Sequence, residues 1–333
     1  YNCTYDPSQY EIEDPYISAE LDTMVEAAGA VFAYIIMEQW KETRPVKVGT
    51  LAYEAPTRRV YDLRPGGMWD LVPLMGGEFV GVEYISSMAT TASIELNRLC
   101  IEGEADWIWL DTPGGVASVV LRDAQRIPEI YDPETGEWKV KFLTCGGHFV
   151  AYDVPEVFEG VYSQDYCLPA TFEMRGQGFG EGVDLCIWMV DNYRPDYKLT
   201  ENSMVYSWAV GNCRAVEQVI QNALNEVGYE DLTGPVIRKH LWNMTGVDSL
   251  GLRYPVGTTY TIDPMYPTFA PIIVFQKFYD GMWHPISEPL FWETAPSYFK
   301  PRFNSNTPAG VKTGYVDYAP PNAMDLSGKP VYR

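Results

Sequence analysis

Apolar residues at 21, 24, 25, 28, 31, 32, 35, 36 and 40 recur with helical spacing, so the pattern predicts an amphipathic helix over residues 21–40. Val46-Lys47-Val48-Gly49-Thr50-Leu51-Ala52-Tyr53 predicts a strand, turned by Ala55-Pro56-Thr57. An irregular helix follows over 61–75, interrupted by Pro65, Gly66, Gly67 and Pro73, then a strand over 79–85 and a helix over 91–101. The run Ala105-Asp106-Trp107-Ile108-Trp109-Leu110 is of strand length, and Thr112-Pro113-Gly114-Gly115 turns the chain behind it. From Val116 the apolar residues Val116, Val119, Val120, Ala124 and Ile127 return at helical spacing, with Arg122, Asp123 and Arg126 on the other face. Residues 140–144 form another strand, ending in Cys145-Gly146-Gly147-His148. Strand and helix thus alternate repeatedly, which implies an α/β fold built on a doubly wound parallel sheet with helices on both faces. In such sheets ligands bind beyond the carboxyl ends of the strands, which makes Thr112 to Gly115 the first place to look for function.

Beyond this lobe the pattern changes. Asp132-Pro133-Glu134-Thr135-Gly136 reads as a surface turn, 160–162 as a short strand, and 163–169 as an exit from the lobe. The glycines of Arg175-Gly176-Gln177-Gly178-Phe179-Gly180-Glu181-Gly182 alternate, follow no strand and do not fit a phosphate-binding GxGxxG. Helices are then predicted over 183–192, 203–227 and 234–242, the second capped by Asn202-Ser203 and ended by Gly228. Two strand-like runs, 271–279 and 282–286, flank Asp280-Gly281, a two-residue hairpin signal. The segment 295–333 is rich in Pro, Gly, Asn and Tyr, lacks periodicity, and is expected to wrap a surface or a neighbour.

Composition narrows the function classes. A net charge of −21 leaves nothing to neutralise a phosphate backbone, so nucleic-acid binding is not expected. No run of 18 apolar residues exists to span a membrane. The six cysteines (Cys3, Cys100, Cys145, Cys167, Cys186, Cys213) form no CxxC, and His148, His240 and His284 form no cluster, so neither a metal site nor a cofactor is expected. Buried free thiols are the simple reading, with disulfides open if the chain is exported. Sequons occur at Asn2-Cys3-Thr4 and Asn243-Met244-Thr245. No GxSxG, P-loop, HExxH or kinase signature is present, and carboxylate pairs such as Glu102 and Glu104 read as solvated faces. His148 follows a strand end but has no assignable nucleophile, so the sequence gives no reason to expect an enzyme.

Taken together, these stretches resemble the type I solute-binding proteins of ABC importers, the periplasmic family of leucine/isoleucine/valine- and amide-binding receptors. The most specific likeness is ADWIWLDTPGGVA at 105–117. Pro15-Tyr16-Ile17 resembles the first inter-lobe crossing, and Glu159-Gly160-Val161-Tyr162 the strand that leads back. Residues 208–227, Asp231-Leu232-Thr233-Gly234 and the hairpin 274–287 are similar to the family's later helices and closing strands. The resemblance implies a two-lobed fold whose first lobe is incomplete here: a remnant of lobe 1 and a crossover at 1–20, a complete lobe 2 at 21–162, lobe 1 helices at 163–255, a return to lobe 2 at 256–294, and the tail at 295–333. At roughly 30 residues per βαβ unit, on the order of a hundred residues of first-lobe βα units would precede Tyr1 in such a protein, behind an export or lipoprotein signal.

What the resemblance implies for function is a non-enzymatic extracytoplasmic receptor, periplasmic or on the outer cell surface. It would close by hinge motion on a small polar solute, amino-acid-like, amide or carboxylate, and deliver it to an ABC permease. The solute would meet Asn2, Thr4, Thr57, Thr112, Gly114 and Gly146. The family's aromatics near 57 and 112 are threonines here, and its ammonium-pairing acid falls near Gly146. An amide or carboxylate therefore suits the site better than a zwitterion, unless Asp111 or Glu54 turns inward to supply a charge. Two other classes stand beside this one: the same fold as a structural subunit of the cell surface, with the tail as a route to homo-oligomers, and an α/β hydrolase or amidase, which lacks its nucleophile motif.

Overall fold

The computed structural model describes residues 31–32, 34–54, 61–62, 68–145, 151, 153–165, 181–196, 203–248, 250, 252, 259–260, 272–286 and 290–291. The predicted helix over 21–40 is described from Val31 and ends in a π-wound turn, α1 (Ile35–Gln39). Strand β1 (Lys47–Tyr53) follows, then the short helix α2 (Met68–Leu74), shorter than the predicted 61–75 and carrying Pro73 in its last turn. Next come β2 (Glu78–Ile85) and helix α3 (Ser93–Leu96), which continues in π form over Asn97–Glu102. Strand β3 (Trp107–Asp111) leads into helix α4 (Gly114–Ala124). The expected surface turn 132–136 joins a small hairpin, β4 (Tyr131–Asp132) and β5 (Glu137–Trp138). Strand β6 (Lys141–Cys145), the single-turn helix α5 (Pro155–Phe158) and β7 (Tyr162–Asp165) complete this part of the chain.

Strands pair in the order β2-β1-β3-β6-β7, all parallel. The strand alternation divides the core cleanly. On one face Val48, Ala52, Trp107, Trp109 and Leu143 pack with Val31, Phe32, Ile35, Tyr61 and Met68. On the other, Leu51, Ile108, Leu110 and Phe142 pack with Leu96, Leu99, Val116, Ala117, Val120 and Leu121. Both faces are therefore covered, the condition that parallel sheets require. Gly49 sits where this packing is closest: a Cβ there would lie 2.9 Å from Ile108 Cδ1 and 3.2 Å from Leu99 Cδ2.

Polar contacts fix the edges of this core. Arg44 donates to both carboxylate oxygens of Asp106, at 2.7 and 2.6 Å, and the Lys47 amide adds a bond of 2.8 Å, tying the entrances of β1 and β3 together. Asp123 of α4 was expected on a solvated face, but it is buried. Its carboxylate accepts from Thr91 Oγ1 at 2.6 Å and from the Ala92 amide at 2.9 Å, capping the start of α3 from a neighbouring helix. Burial pushes that carboxyl upward, and the bonds from Thr91, Ala92 and Ser93 outweigh it, so its pKa falls below the ordinary value.

The later helices are α6 (Glu181–Tyr193), α7 (Ser203–Val227) and α8 (Gly234–Trp242), with Pro235 in the first turn of α8, where its missing N–H is harmless. Val183, Cys186, Ile187 and Val190 of α6 pack on Val210 of α7 and on Leu252. Ala215 and Val219 of α7 pack with Met244 and Val247, and Ile237 and Leu241 of α8 lie against them. A two-stranded ribbon, β8 (Val247–Asp248) with β9 (Thr259–Tyr260), adjoins these helices. The chain then adds β10 (Ile272–Tyr279) antiparallel to β7, the hairpin partner β11 (Met282–Pro285), and a short β12 (Leu290–Phe291). Asp280 and Gly281 turn that hairpin with φ of 53° and 78°, as a primed two-residue turn requires.

Candidate functional site

The parallel strand order reverses at β1: the chain goes to β2 on one side and then crosses to β3 on the other. In open α/β sheets such a reversal is where a ligand crevice forms, beyond the carboxyl ends of the strands, here β1 and β3. Tyr53-Glu54 ends β1 and Asp111-Thr112 ends β3. The two strands are held in register to these ends, with Ala52 opposite Asp111.

Asp111 is buried, and its side chain follows the alternation of Trp107 and Trp109. Its Oδ2 accepts a hydrogen bond from the Tyr61 hydroxyl at 2.7 Å, and that hydroxyl accepts from Trp109 Nε1 at 2.9 Å. Asp111 is thus engaged on the face opposite α4. Glu54 is exposed, and its amide bonds the Ile85 carbonyl at 2.7 Å. The role of Tyr61 was not legible in the sequence, because its surroundings read only as an irregular, proline-rich helix.

Thr112 follows the last strand residue, Asp111, at a bend that leads through Pro113 into α4. It is 4% exposed, and its hydroxyl has no hydrogen-bond partner among the described residues. A buried hydroxyl left unpaired costs about 1–3 kcal/mol. Pro113 is the N-cap of α4, no side chain caps the helix, and no acidic residue lies in its first turn. The amides of Val116 and Ala117 both reach the Pro113 carbonyl, whereas those of Gly114 and Gly115 precede the first intrahelical bonds. A Cβ on Gly115 would meet nothing within 4 Å. Uncapped amides and the positive end of the helix dipole favour an electron-rich oxygen.

Of the residues expected to form the site, Thr112 and Gly114 are brought together here. Asn2, Thr4, Thr57 and Gly146 lie outside the described residues, as does His148. Burial pushes the thiols of Cys100 and Cys186 up to about 12, which removes both as nucleophiles near neutral pH. His284 stacks on Tyr279, with ring centroids 3.7 Å apart, and His240 meets Glu226 at 2.8 Å. Among the described residues no group of His, Cys, Asp and Glu side chains is placed to hold a metal ion, and no helix is long and apolar enough to cross a membrane.

No family model matches the chain, and no curated protein matches it. Solved structures do. A branched-chain amino acid ABC transporter protein from Thermus thermophilus with bound valine is similar over 89% of this chain and 72% of its own, at 18% identity and a TM-score of 0.68. A solute binding protein of an ABC transporter from Rhodopseudomonas palustris HaA2, in complex with p-hydroxybenzoic acid, is similar over 84% and 69%, at 15% identity and a TM-score of 0.61. A fatty acid ABC transporter substrate-binding protein from Thermomonospora curvata is similar over 86% and 67%, at 13% identity and a TM-score of 0.59. The fold is accordingly that of the type I periplasmic binding proteins: a mixed α/β chain with a large, mostly parallel sheet. Its structural neighbours are solute-binding proteins of ABC transporters and extracellular ligand-binding receptors.

Proposed function

We propose that this chain is an extracytoplasmic solute-binding protein, without catalytic activity, that captures a small polar solute for an ABC importer. The observation that carries the reading is the strand-order reversal at the β1/β3 switch point. It presents an uncapped helix start and an unpaired Thr112 hydroxyl, in a fold whose neighbours carry valine or p-hydroxybenzoic acid at their own sites. The solute is amino-acid-like, an amide or a carboxylate, and it contacts Asn2, Thr4, Thr57, Thr112, Gly114 and Gly146. Residues 21–162 act as one lobe, 163–255 as helices of the other, and 256–294 return to the first. Closure of the lobes about hinges near these boundaries would enclose the solute and present the closed form to a membrane permease.

The test is a thermal-unfolding screen against leucine, valine, simple amides and small carboxylic acids, with calorimetric titration of each positive. A solute at a hundredfold excess over its Kd stabilises the native state by about 2.7 kcal/mol, a shift readily seen. At least one solute of these classes should bind with one-to-one stoichiometry. A screen with no stabilising solute, or turnover of a bound one, would overturn the receptor reading.

A further inference from the structure

We infer that the outer face of α6 is a docking surface for a protein segment that carries an apolar anchor flanked by lysines or arginines. The inner face of this helix is committed to packing: Val183, Cys186, Ile187 and Val190 are buried against Val210 and Leu252. At helical spacing on the other side lie Glu181, Asp184, Leu185, Trp188, Asp191 and Asn192, all exposed. Trp188 is 51% exposed and Tyr193, the last residue of the helix, is 69% exposed. Isolated apolar residues on a surface are ordinary. These two rings, however, meet edge to face with centroids 5.7 Å apart, and the exposed Leu185 stands one turn before Trp188. The pair is not part of the core cluster beneath it, and Trp and Tyr held in this way are the residues that anchor interfaces.

Charge decides the occupant. Residues 181–196 set four carboxylates, Glu181, Asp184, Asp191 and Asp196, against one cation, Arg194, all at exposed positions, on a chain of net charge −21. A second copy would bring the same acidic face against itself, and an anionic bilayer would be repelled in the same way. A basic partner gains twice: its cations meet the carboxylates at the rim and the ring faces of Trp188 and Tyr193. The 13 residues of α6 form a convex ridge roughly 20 Å long at a helical rise of about 1.5 Å per residue. Small-molecule sites are concave, so the ridge suits a partner chain instead. The surface lies on α6 rather than at the ends of β1 and β3, and it is independent of the solute reading.

Three labelled peptides test this by fluorescence anisotropy: an amphipathic Leu/Lys helix, the same helix with Glu for Lys, and a Gly/Ser peptide with as many lysines but no apolar face. The Leu/Lys helix should bind wild type at one-to-one stoichiometry, the other two at least about tenfold more weakly. Its binding should weaken as salt rises, because the rim charges are exposed. Trp188→Ala should weaken it about tenfold, and Tyr193→Ala and Asp184→Lys about threefold each. Trp188 lies outside the core, so Trp188→Ala should unfold at the wild-type temperature. Met88→Ala, which removes a still more exposed apolar side chain elsewhere, should leave binding unchanged.

Equal binding of the Leu/Lys and Gly/Ser/Lys peptides, or binding indifferent to Trp188→Ala, overturns the docking surface and leaves only diffuse attraction to an acidic chain. Self-association in sedimentation that Trp188→Ala abolishes overturns it in favour of a second copy. Binding of none of the peptides also overturns it, whatever solute the protein takes.

Discussion

Replacing Tyr61 by Phe removes one oxygen atom and, with it, the hydrogen bonds that join Asp111 and Trp109 through it. The hydroxyl donates to the buried carboxylate of Asp111 at 2.7 Å and accepts from Trp109 Nε1 at 2.9 Å. All three residues are at most 3% exposed, so water cannot replace the lost partner without opening the core. A hydrogen bond to a charged group contributes about 1.5–3 kcal/mol and a neutral one about 1 kcal/mol. Phe fills nearly the same volume, so no cavity term adds to the sum. The substitution should therefore cost about 2–4 kcal/mol, a drop on the order of 5–15 °C in unfolding temperature for a unit of this size. Urea unfolding followed by tryptophan fluorescence reads the same quantity, with Trp109 as a reporter beside the lesion. A loss under about 0.5 kcal/mol with an unchanged m-value would refute the reasoning, since it would mean that Asp111 is solvated and free to turn into the crevice.

Asp123→Ala should cost about 1 kcal/mol through the lost cap on Thr91 and Ala92, measured as a fall in urea midpoint. The folded pKa of Asp123 lies below its unfolded value, so its stabilisation is full above the unfolded pKa of about 3.9 and is lost as pH falls through the folded one. Asp123→Asn should accordingly flatten the acid limb of a stability–pH profile and leave the neutral region without that slope. Gly49→Val should cost about 1–3 kcal/mol in unfolding free energy, because its side chain must displace Ile108 and Leu99 on a packed face. At Gly182 a Cβ would collide with the Leu252 side chain and lie 2.8 Å from the Leu250 carbonyl, so Gly182→Ala should raise hydrogen exchange in α6 more than in β3.

The sheet was legible because its strands are short apolar runs closed by turn residues, and the β3–turn–α4 unit was read within a few residues of its bounds. The closing hairpin was equally plain, since Asp280-Gly281 permits the positive φ that its turn adopts. What sequence could not show were contacts between residues far apart in the chain. Asp123 looked like part of a solvated stripe, because its partners Thr91 and Ala92 meet it only once α3 packs on α4. Asp111 looked available to a ligand, because nothing near it in sequence announces Tyr61, fifty residues earlier. The π winding over Asn97–Glu102 was also hidden: its apolar residues Leu99 and Cys100 fit an ordinary helix equally well. The strand–turn–helix placement of Thr112 and Gly114 was legible because the turn lies between a strand and a helix, whereas the unpaired state of the Thr112 hydroxyl emerges only from the packed structure.

The account's central claim is that a solute joins the two lobes, and small-angle scattering with and without a calorimetrically verified solute tests it most directly. The account predicts a smaller radius of gyration in the bound form, at constant mass, as the hinges close. Superimposable profiles for free and saturated protein would contradict it and leave a rigid molecule that binds without closing.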